Sequence, residues 1–112
     1  MDKTLKYQQI ILGLLEEYAS IEKVLTPDVK AQVIADTANH HYQLVSVGWH
    51  RQKFIYVTAF HLDIINDKIW LQQNNTDIMI ADELMNRGVP ATDIVLGFVV
   101  PSARQYSGFA MA

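Results

Sequence analysis

Apolar side chains recur at helical spacing near the start of the chain. They are Tyr7, Ile10, Ile11, Leu14, Leu15 and Tyr18. Because all six fall on one stripe of a 3.6-residue period, the pattern predicts an opening helix that lays this stripe on a sheet. Thr26-Pro27-Asp28 is predicted to break the chain after this helix, since proline disfavours a helical residue before it.

The middle of the chain is rich in β-branched and aromatic residues, which favour strands. Strands are predicted at 29–37, 41–49, 54–65 and 68–73. The turns between them are predicted at Asn39-His40, at 48–53 and at 65–68, where Asn66-Asp67 can adopt the positive φ of a tight hairpin. The last three strands are predicted to form an antiparallel meander, which the first strand can join.

A four-residue loop at His50–Lys53 would decide which residues share a face of this sheet. One face would then carry Val45, Val47, Trp49, Phe54, Tyr56, Phe60 and Leu62, and the other Leu44, Ile55, Val57 and Ala59. A sheet with one solvent-exposed face has strands that alternate between apolar and polar residues. The strands predicted here lack that alternation. We therefore expect helices on both faces or a partner on one, and a homo-oligomer to cover the spare apolar face.

A second helix is predicted after the meander. Thr76 is its expected N-cap, with Asp77 in the first turn. Its apolar positions are Ile80, Ala81 and Leu84, and Arg87-Gly88 should close it with Gly88 in the left-handed conformation. A short turn at 91–94, capped by Thr92 or Asp93, and a late strand at 95–100 follow. Tyr106 and Phe109 indicate that the tail packs on the domain.

Composition places these elements in a single α+β domain spanning 1–112. The chain has 112 residues, of which 50% are hydrophobic and 19% charged, as in one folded domain. The absence of cysteine excludes disulfides and thiolate metal sites and suits a cytoplasmic protein. We expect no signal peptide and no membrane span, since the apolar runs are too short. The net charge of −3 disfavours tight binding to nucleic-acid phosphates.

Four histidines raise the question of a metal site. His40 and His41 are adjacent, so on a strand they point to opposite faces. In the expected register His61 lies opposite Tyr42, on the other face from His41, and His50 lies in a turn. No H-x-x-x-H spacing and no cysteine is present. We therefore expect neither a metal nor a cofactor, and we interpret the histidines as surface or hydrogen-bonded residues.

Asp28-Val29-Lys30 has the D-x-K spacing of metal-dependent nucleases. That chemistry also needs a second acidic residue on a neighbouring strand, and the acids upstream lie on or just after the predicted helix. A proline-aspartate turn that enters a strand is the favoured interpretation. No phosphate loop or nucleophile motif is present either, so we predict no catalytic residues and no enzyme. A nuclease or a histidine-dependent metal hydrolase is kept as an alternative.

Basic residues at the predicted hairpin tip lie between the aromatic residues Trp49 and Phe54. His50, Arg51 and Lys53 are candidates for contact with a phosphate or an acidic partner, although a solvated hairpin end is favoured by charge counting. The candidate interface aromatics are Trp49, Phe54, Tyr56 and Trp70, because Trp and Tyr are enriched at binding hot spots. For Trp70 a place in the core is the favoured interpretation.

Four stretches of the chain resemble the XisI-type family, the fdxN-element excision controlling factors found mainly in cyanobacteria. They are Tyr7–Ile11, His41–Trp49, His61–Gln72 and Gly88–Phe98, the last followed by Arg104-Gln105-Tyr106. They occur in the family's order and cover nearly the whole chain. Asn66-Asp67 stands where relatives often have Asn-Gly, a departure that affects only the hairpin turn.

The resemblance implies an accessory role in programmed excision of a DNA element during heterocyst development, in which a separate recombinase cuts the DNA. It also implies a physical partner of the XisH type, a second controlling factor, and it supplies no active site. The leading hypothesis is a non-enzymatic regulator that acts through protein–protein contacts. The alternatives are a directionality factor that binds DNA through Arg51 and Lys53, and a general XisH partner unrelated to excision.

Overall fold

The structure, a computed structural model, describes residues 2–25 and 28–112. The break predicted at Thr26-Pro27 lies outside these residues. Helix α1 (Lys3–Leu25) precedes strands β1 (Val29–Asp36), β2 (His41–His50), β3 (Lys53–Ile65) and β4 (Lys68–Asn74). Helix α2 (Ile80–Asn86), a 3₁₀ turn (Ala91–Asp93), strand β5 (Ile94–Leu96) and a second 3₁₀ turn (Pro101–Tyr106) follow.

The five strands form one sheet in the order β1-β2-β3-β4-β5. Strands β1 to β4 make the antiparallel meander, and β5 pairs with β4 in parallel. The α+β fold with its opening helix, meander, second helix and short C-terminal elements is therefore confirmed. The late strand is shorter than the expected 95–100, because the Val99 N–H turns back to the Leu96 carbonyl at 3.1 Å and ends the strand.

Helix α1 lies across β1, β2 and β3 on one side of the sheet, which we call the helix-covered face. The six residues of the predicted apolar stripe are all buried or partly buried in the core. Burial of one large apolar side chain stabilises a fold by about 1.5–3 kcal/mol. This stripe, rather than intrinsic helix propensity, therefore holds α1 on the sheet.

The hairpin between β2 and β3 closes through two residues, Arg51-Gln52, and the four-residue loop expected here is wrong. His50 pairs with Lys53 across the turn. Arg51 has φ of 59°, the left-handed conformation that such short turns require. Arg-Gln lacks the Asn-Gly type of signal, which is why the sequence pattern does not reveal it.

The hairpin between β3 and β4 closes at Asn66-Asp67, as predicted. Their φ angles are 52° and 62°, so both residues adopt the left-handed conformation of a type I′ turn. Aspartate in the second position therefore permits the tight turn for which glycine is the usual choice.

A β-bulge at Ala59 exchanges the two faces of β3. Val45 pairs with Thr58 and Leu44 pairs with Phe60, which leaves Ala59 without a partner on β2. One unpaired residue reverses the alternation of every side chain that follows it. Phe60 and Leu62 therefore lie on the helix-covered face, and their expected place beside Trp49, Phe54 and Tyr56 is wrong. Leu44, Ile55 and Val57 share the helix-covered face, as predicted.

Helix α2 begins at Ile80, four residues after Thr76, so Thr76 as its N-cap is wrong. The Thr76 hydroxyl instead accepts a hydrogen bond from the Ile78 N–H at 3.1 Å and closes a turn ahead of the helix. The predicted apolar positions of α2 are buried. Gly88, with φ of 104°, follows the helix in the conformation predicted for it.

Asp93 does not cap the 3₁₀ turn that it ends. Its carboxylate accepts a hydrogen bond from the Tyr7 hydroxyl and lies 2.8 Å from Lys3 Nζ, which ties the start of α1 to the C-terminal half. Phe109 is partly buried against the core, as predicted. Tyr106 is 83% exposed, so its predicted packing is wrong.

Residues 97–112 pack beside β4 and β5, where Ala110 forms a parallel bridge with Val95. The Arg104 guanidinium donates hydrogen bonds to the main-chain carbonyls of Val99, Gly97 and Met111 at 3.0, 3.3 and 3.3 Å. It also lies 5.1 Å from the centre of the Trp70 ring. One planar cation therefore organises this segment. Within the described residues, no helix has the length and apolarity needed to cross a membrane.

Candidate interaction site on the β2–β3 hairpin

Three aromatic side chains stand in solvent on the second face of the β2–β3 hairpin. Trp49, Phe54 and Tyr56 are 60%, 50% and 65% exposed, and their pairing places them on one face. The Trp49 and Phe54 ring centres are 5.2 Å apart. We call these three residues the aromatic patch. At about 200 Å² for each side chain, they leave roughly 300 Å² of apolar area in water, comparable to the functional patches of monomeric proteins.

The basic residues predicted at the hairpin tip follow the aromatic patch at the end of the hairpin. The pair His50 and Lys53 lies one position beyond the pair Trp49 and Phe54, so its side chains point to the helix-covered face. His50, Arg51 and Lys53 are all exposed. None of the ion pairs formed by residues 2–25 and 28–112 includes them. The structure therefore brings six of the seven predicted contact residues together at one end of the hairpin.

Trp70 is the seventh of these residues, and it lies elsewhere. It pairs with Asp63 near the far end of β3 and with Val95 on β5. The Arg104 guanidinium lies over its ring, and the side chain is half-buried. Trp70 therefore belongs with the C-terminal segment and not with the aromatic patch.

The helix-covered face of the same hairpin borders an apolar cleft of about 510 Å³. Its walls include Ile21 and Leu25 from the last turns of α1, and Ile55 and Val57 from β3. The Ser46 hydroxyl, also on the wall, donates a hydrogen bond of 2.6 Å to a Glu22 carboxylate oxygen. Near its tip the hairpin therefore presents apolar surface on both faces.

A second cluster lies on the second face, at the other end of the hairpin, and consists of His41, His61 and Asp63. The expected separation of the two histidines is wrong. His61 pairs with Gln43 and not with Tyr42, so it shares the face of His41. The physical reason is the bulge at Ala59, which reverses the alternation before His61.

The side chains of this cluster converge on one carboxylate oxygen. Asp63 Oδ1 lies 2.9 Å from His41 Nδ1 and 2.8 Å from His61 Nε2. Burial raises the pKa of Asp63, but hydrogen bonds from His41, His61 and Gln72 outweigh it and hold this pKa below its usual value. The hydrogen bond to Asp63, followed by its charge, raises the pKa of His41.

The Asp28 and Lys30 pair gains no support as a nuclease site. Both residues are exposed. Among the described residues, the group of histidine and acidic side chains close enough to hold a cation does not include Asp28. The described residues therefore place no cluster of three such ligands at Asp28.

Asp63 and Gln72 are the polar residues of the sheet that the sequence reasoning missed. A signal for Asp63 was available, because the spacing His61-x-Asp63 places both side chains on one face of a strand. The addition of His41 depends on the bulge at Ala59, for which the sequence carries no signal. Gln72 joins them at a second register shift, between β3 and β4.

Comparison with known proteins identifies relatives over almost the full length of the chain. The family model described as XisI protein matches residues 1–111. The crystal structure of a XisI-like protein from Anabaena variabilis is 47% identical, with a TM-score of 0.89 over 97% of this chain and 99% of that chain. The fdxN element excision controlling factor XisI from the same organism is 33% identical, with a TM-score of 0.83 over 99% and 100%. No curated protein matches the chain.

Proposed function

This chain belongs to the XisI family, and we propose that it is a non-enzymatic controlling factor for excision of an fdxN-type DNA element. In this proposal it acts by binding a protein partner. The crystal structure of an fdxN element excision controlling factor is among its structural neighbours. The observation that carries the proposal is the aromatic patch of Trp49, Phe54 and Tyr56, which stands in water beside a basic hairpin tip.

The patch has the chemistry of a protein-binding surface. Aromatic residues and arginine are enriched in interface cores and at hot spots, and the aromatic residues bury large areas with few rotatable bonds. Burial of roughly 300 Å² of apolar area would supply about 7 kcal/mol before the cost of association is subtracted. A stable interface buries about 800 Å² on each partner. The contact must therefore extend from the aromatic patch over the hairpin tip and the rim of the cleft.

We propose a protein of the XisH type as this partner, because the resemblance to the family implies one. A heterologous partner would also account for the basic residues that this chain, with a net charge of −3, displays at the tip. Arg51 and Lys53 would then face acidic groups on the partner, which favours the rate and the specificity of association. A second copy of this chain would bring two basic tips together in a symmetric pair, which is less favourable.

The test is a binding measurement between the purified chain and its XisH-type partner. We expect one complex by size exclusion and by isothermal titration calorimetry. Tyr56→Ala should weaken binding at least tenfold, about 1.4 kcal/mol or more. Tyr106→Ala is the matched control, since Tyr106 is another exposed tyrosine outside the patch, and it should bind as the wild type does.

Independent elution of the two proteins at micromolar concentration would refute the proposed contact. Equal losses in Tyr56→Ala and Tyr106→Ala would show that the aromatic patch is not the interface. Light scattering on the chain alone distinguishes binding to a different protein from self-association. A dimer that Tyr56→Ala converts to monomers would assign the aromatic patch to self-association instead.

Direct DNA binding is a second candidate function, favoured by the exposed Arg51 and Lys53 at the tip. Two phosphate contacts give a slope of about −2 in the logarithm of affinity against the logarithm of salt concentration. In fluorescence anisotropy on element-border DNA, Arg51→Glu should abolish that dependence, and Lys23→Glu on α1 should preserve it. Absence of binding at low salt would eliminate this candidate.

A further inference from the structure

We propose that His41, His61 and Asp63 form a binding site for a divalent transition-metal ion of the zinc type. One nitrogen of each imidazole and one carboxylate oxygen lie within 4.8 Å of one another. Two histidines and one carboxylate on a single face are a recurrent donor set for zinc and for other first-row metals. The site lies at the opposite end of the hairpin from the aromatic patch, so the inference goes beyond the proposed function.

The separations of the donor atoms are close to those in a metal coordination sphere. Two ligand atoms that bind a tetrahedral zinc ion at about 2.1 Å lie about 3.4 Å apart, so each observed separation would have to open by about 0.5 Å. The observed separations from Asp63 Oδ1 are 2.9 Å to His41 Nδ1 and 2.8 Å to His61 Nε2. An ion can therefore replace the two hydrogen bonds with only small side-chain rotations.

Two of the three proposed ligands, His61 and Asp63, are also held by a neighbour from outside the cluster. The side-chain amide of Gln43 lies 3.4 Å from His61 Nδ1, the ring nitrogen that faces away from Asp63. The Gln72 amide donates to Asp63 Oδ2, the outer carboxylate oxygen, at 3.2 Å. Metal-binding histidines and carboxylates have such outer partners, which fix the ring tautomer and the ligand orientation. The Gln43 amide can present its oxygen to a protonated Nδ1.

The sheet is irregular at this position and regular elsewhere on the hairpin. One register shift, at Ala59, lies before His61 on the β2 side, and another lies between His61 and Leu62 on the β4 side. Bulges re-aim side chains and are over-represented beside functional sites. Here they bring His61 onto the face of His41 and allow Gln72 to reach Asp63.

The donor set also indicates which ions would bind. Imidazole nitrogens favour zinc, cobalt and nickel, whereas magnesium and calcium prefer oxygen ligands throughout. The His41 side chain is 55% exposed and that of Asp63 is 11% exposed. The site is therefore anchored in the sheet and open to solvent on the His41 side, where water would complete the coordination sphere.

The experiment is a titration of the untagged full-length chain with zinc chloride in metal-free buffer, followed by calorimetry. We expect one ion per chain. His41→Ala and His61→Ala should each weaken binding by at least about tenfold, and magnesium should not compete. His50→Ala is the matched control, because His50 is an exposed histidine of the same hairpin outside the cluster. Cobalt as the probe should give visible absorption bands of a nitrogen- and oxygen-ligated ion.

The test uses the histidine variants, because replacement of the buried Asp63 could unfold the chain. Circular dichroism checks that both histidine variants fold. The absence of zinc binding at millimolar concentration would overturn the proposal and leave a hydrogen-bonded cluster. Wild-type affinity in both histidine variants, or an equal loss in His50→Ala, would overturn it as well.

Discussion

Replacement of Tyr7 by phenylalanine tests the link between the start of α1 and the C-terminal half of the chain. The Tyr7 side chain is 2% exposed, and its hydroxyl donates to a carboxylate oxygen of Asp93, which is 8% exposed. Tyr7→Phe removes only this hydroxyl and keeps the ring in the core. The Asp93 carboxylate then retains its contact with Lys3 Nζ and loses its buried donor.

The expected loss follows from the chemistry of a charge-assisted hydrogen bond. Such a bond to an ionised group contributes about 1.5–3 kcal/mol, and a buried acceptor that loses its donor is not compensated by water. We therefore expect Tyr7→Phe to lower the free energy of unfolding by about 2 kcal/mol near pH 7. With a urea slope of about 1.5 kcal/mol/M, the denaturation midpoint should fall by about 1.3 M.

The pH dependence gives this prediction a second check. Burial raises the pKa of Asp93, but hydrogen bonds from Lys3 and Tyr7 outweigh it and hold this pKa below its usual value. A carboxyl with a lowered folded-state pKa stabilises the fold above its unfolded pKa of about 3.9, and this stability is lost as the pH falls through the folded pKa. The difference in the free energy of unfolding between the wild type and Tyr7→Phe should therefore have its full value at neutral pH and shrink below about pH 4.

The assay is urea denaturation monitored by circular dichroism at several pH values. Tyr106→Phe is the control, because Tyr106 is 83% exposed and its hydroxyl has water as an alternative partner. Its midpoint should equal that of the wild type. A midpoint of Tyr7→Phe within error of the wild type at pH 7, or a difference that persists unchanged in acid, would refute the reasoning.

Three further substitutions test the packing of the fold. Gly13→Ala adds a methyl group with no atom within 4 Å, and the gain in helix propensity of about 1 kcal/mol should raise the melting temperature by about 4 °C. Gly48→Ala would place its Cβ 2.5 Å from the Asp28 carbonyl oxygen, so it should cost about 1–3 kcal/mol. A melting temperature of Gly13→Ala no higher than that of the wild type would contradict the first expectation, and one of Gly48→Ala equal to that of the wild type would contradict the second. In Arg104→Lys the new side chain cannot reach three carbonyls at once. Hydrogen exchange of the Ala110 amide, which is bonded to the Ile94 carbonyl at 2.8 Å, should therefore become faster. Unchanged exchange would argue against the role of Arg104.

The elements of this fold could be predicted from the sequence because their signals are local. The stripe from Tyr7 to Tyr18 repeats at the helical period over several turns, and the strands are bounded by polar turn residues. Helix α2 was placed less well, because Asn74, Thr76 and Ile78 form a network of turns ahead of it. Thr76 serves that network and not the helix end.

The pairing of Trp49 with Phe54 was predicted, although Arg51-Gln52 forms a tight turn without the residues that usually mark one. The register beyond Thr58 could not be predicted, because its cause is not local. The bulge at Ala59 depends on Asn75, whose N–H donates to the Ala59 carbonyl at 2.9 Å and whose side chain donates to the Thr58 carbonyl at 3.0 Å. That contact joins segments sixteen residues apart, so the pattern of a single strand does not contain it.

The candidate sites also differ in whether local sequence signals were enough to predict them. Trp49, Phe54 and Tyr56 lie within eight residues of one hairpin, and local pairing was enough to gather them. His41 and His61 are brought together only by the reversal at Ala59, so the sequence indicated two separate histidines. Trp70 was placed correctly on the last strand of the meander, but its cover by Arg104 depends on the fold of the tail.

The unpaired residue at Ala59 also has an evolutionary consequence. The part of β3 from Phe60 onwards is constrained by helix α1, which packs on it, so its apolar positions should tolerate few substitutions. The part of β3 before Ala59 turns Tyr56 to the second face, where no helix packs on it and only a binding partner constrains it. Homologues are therefore expected to vary at Tyr56 only where the partner varies, whereas deletion of Ala59 would turn Phe60 and Leu62 away from the helix and should be selected against.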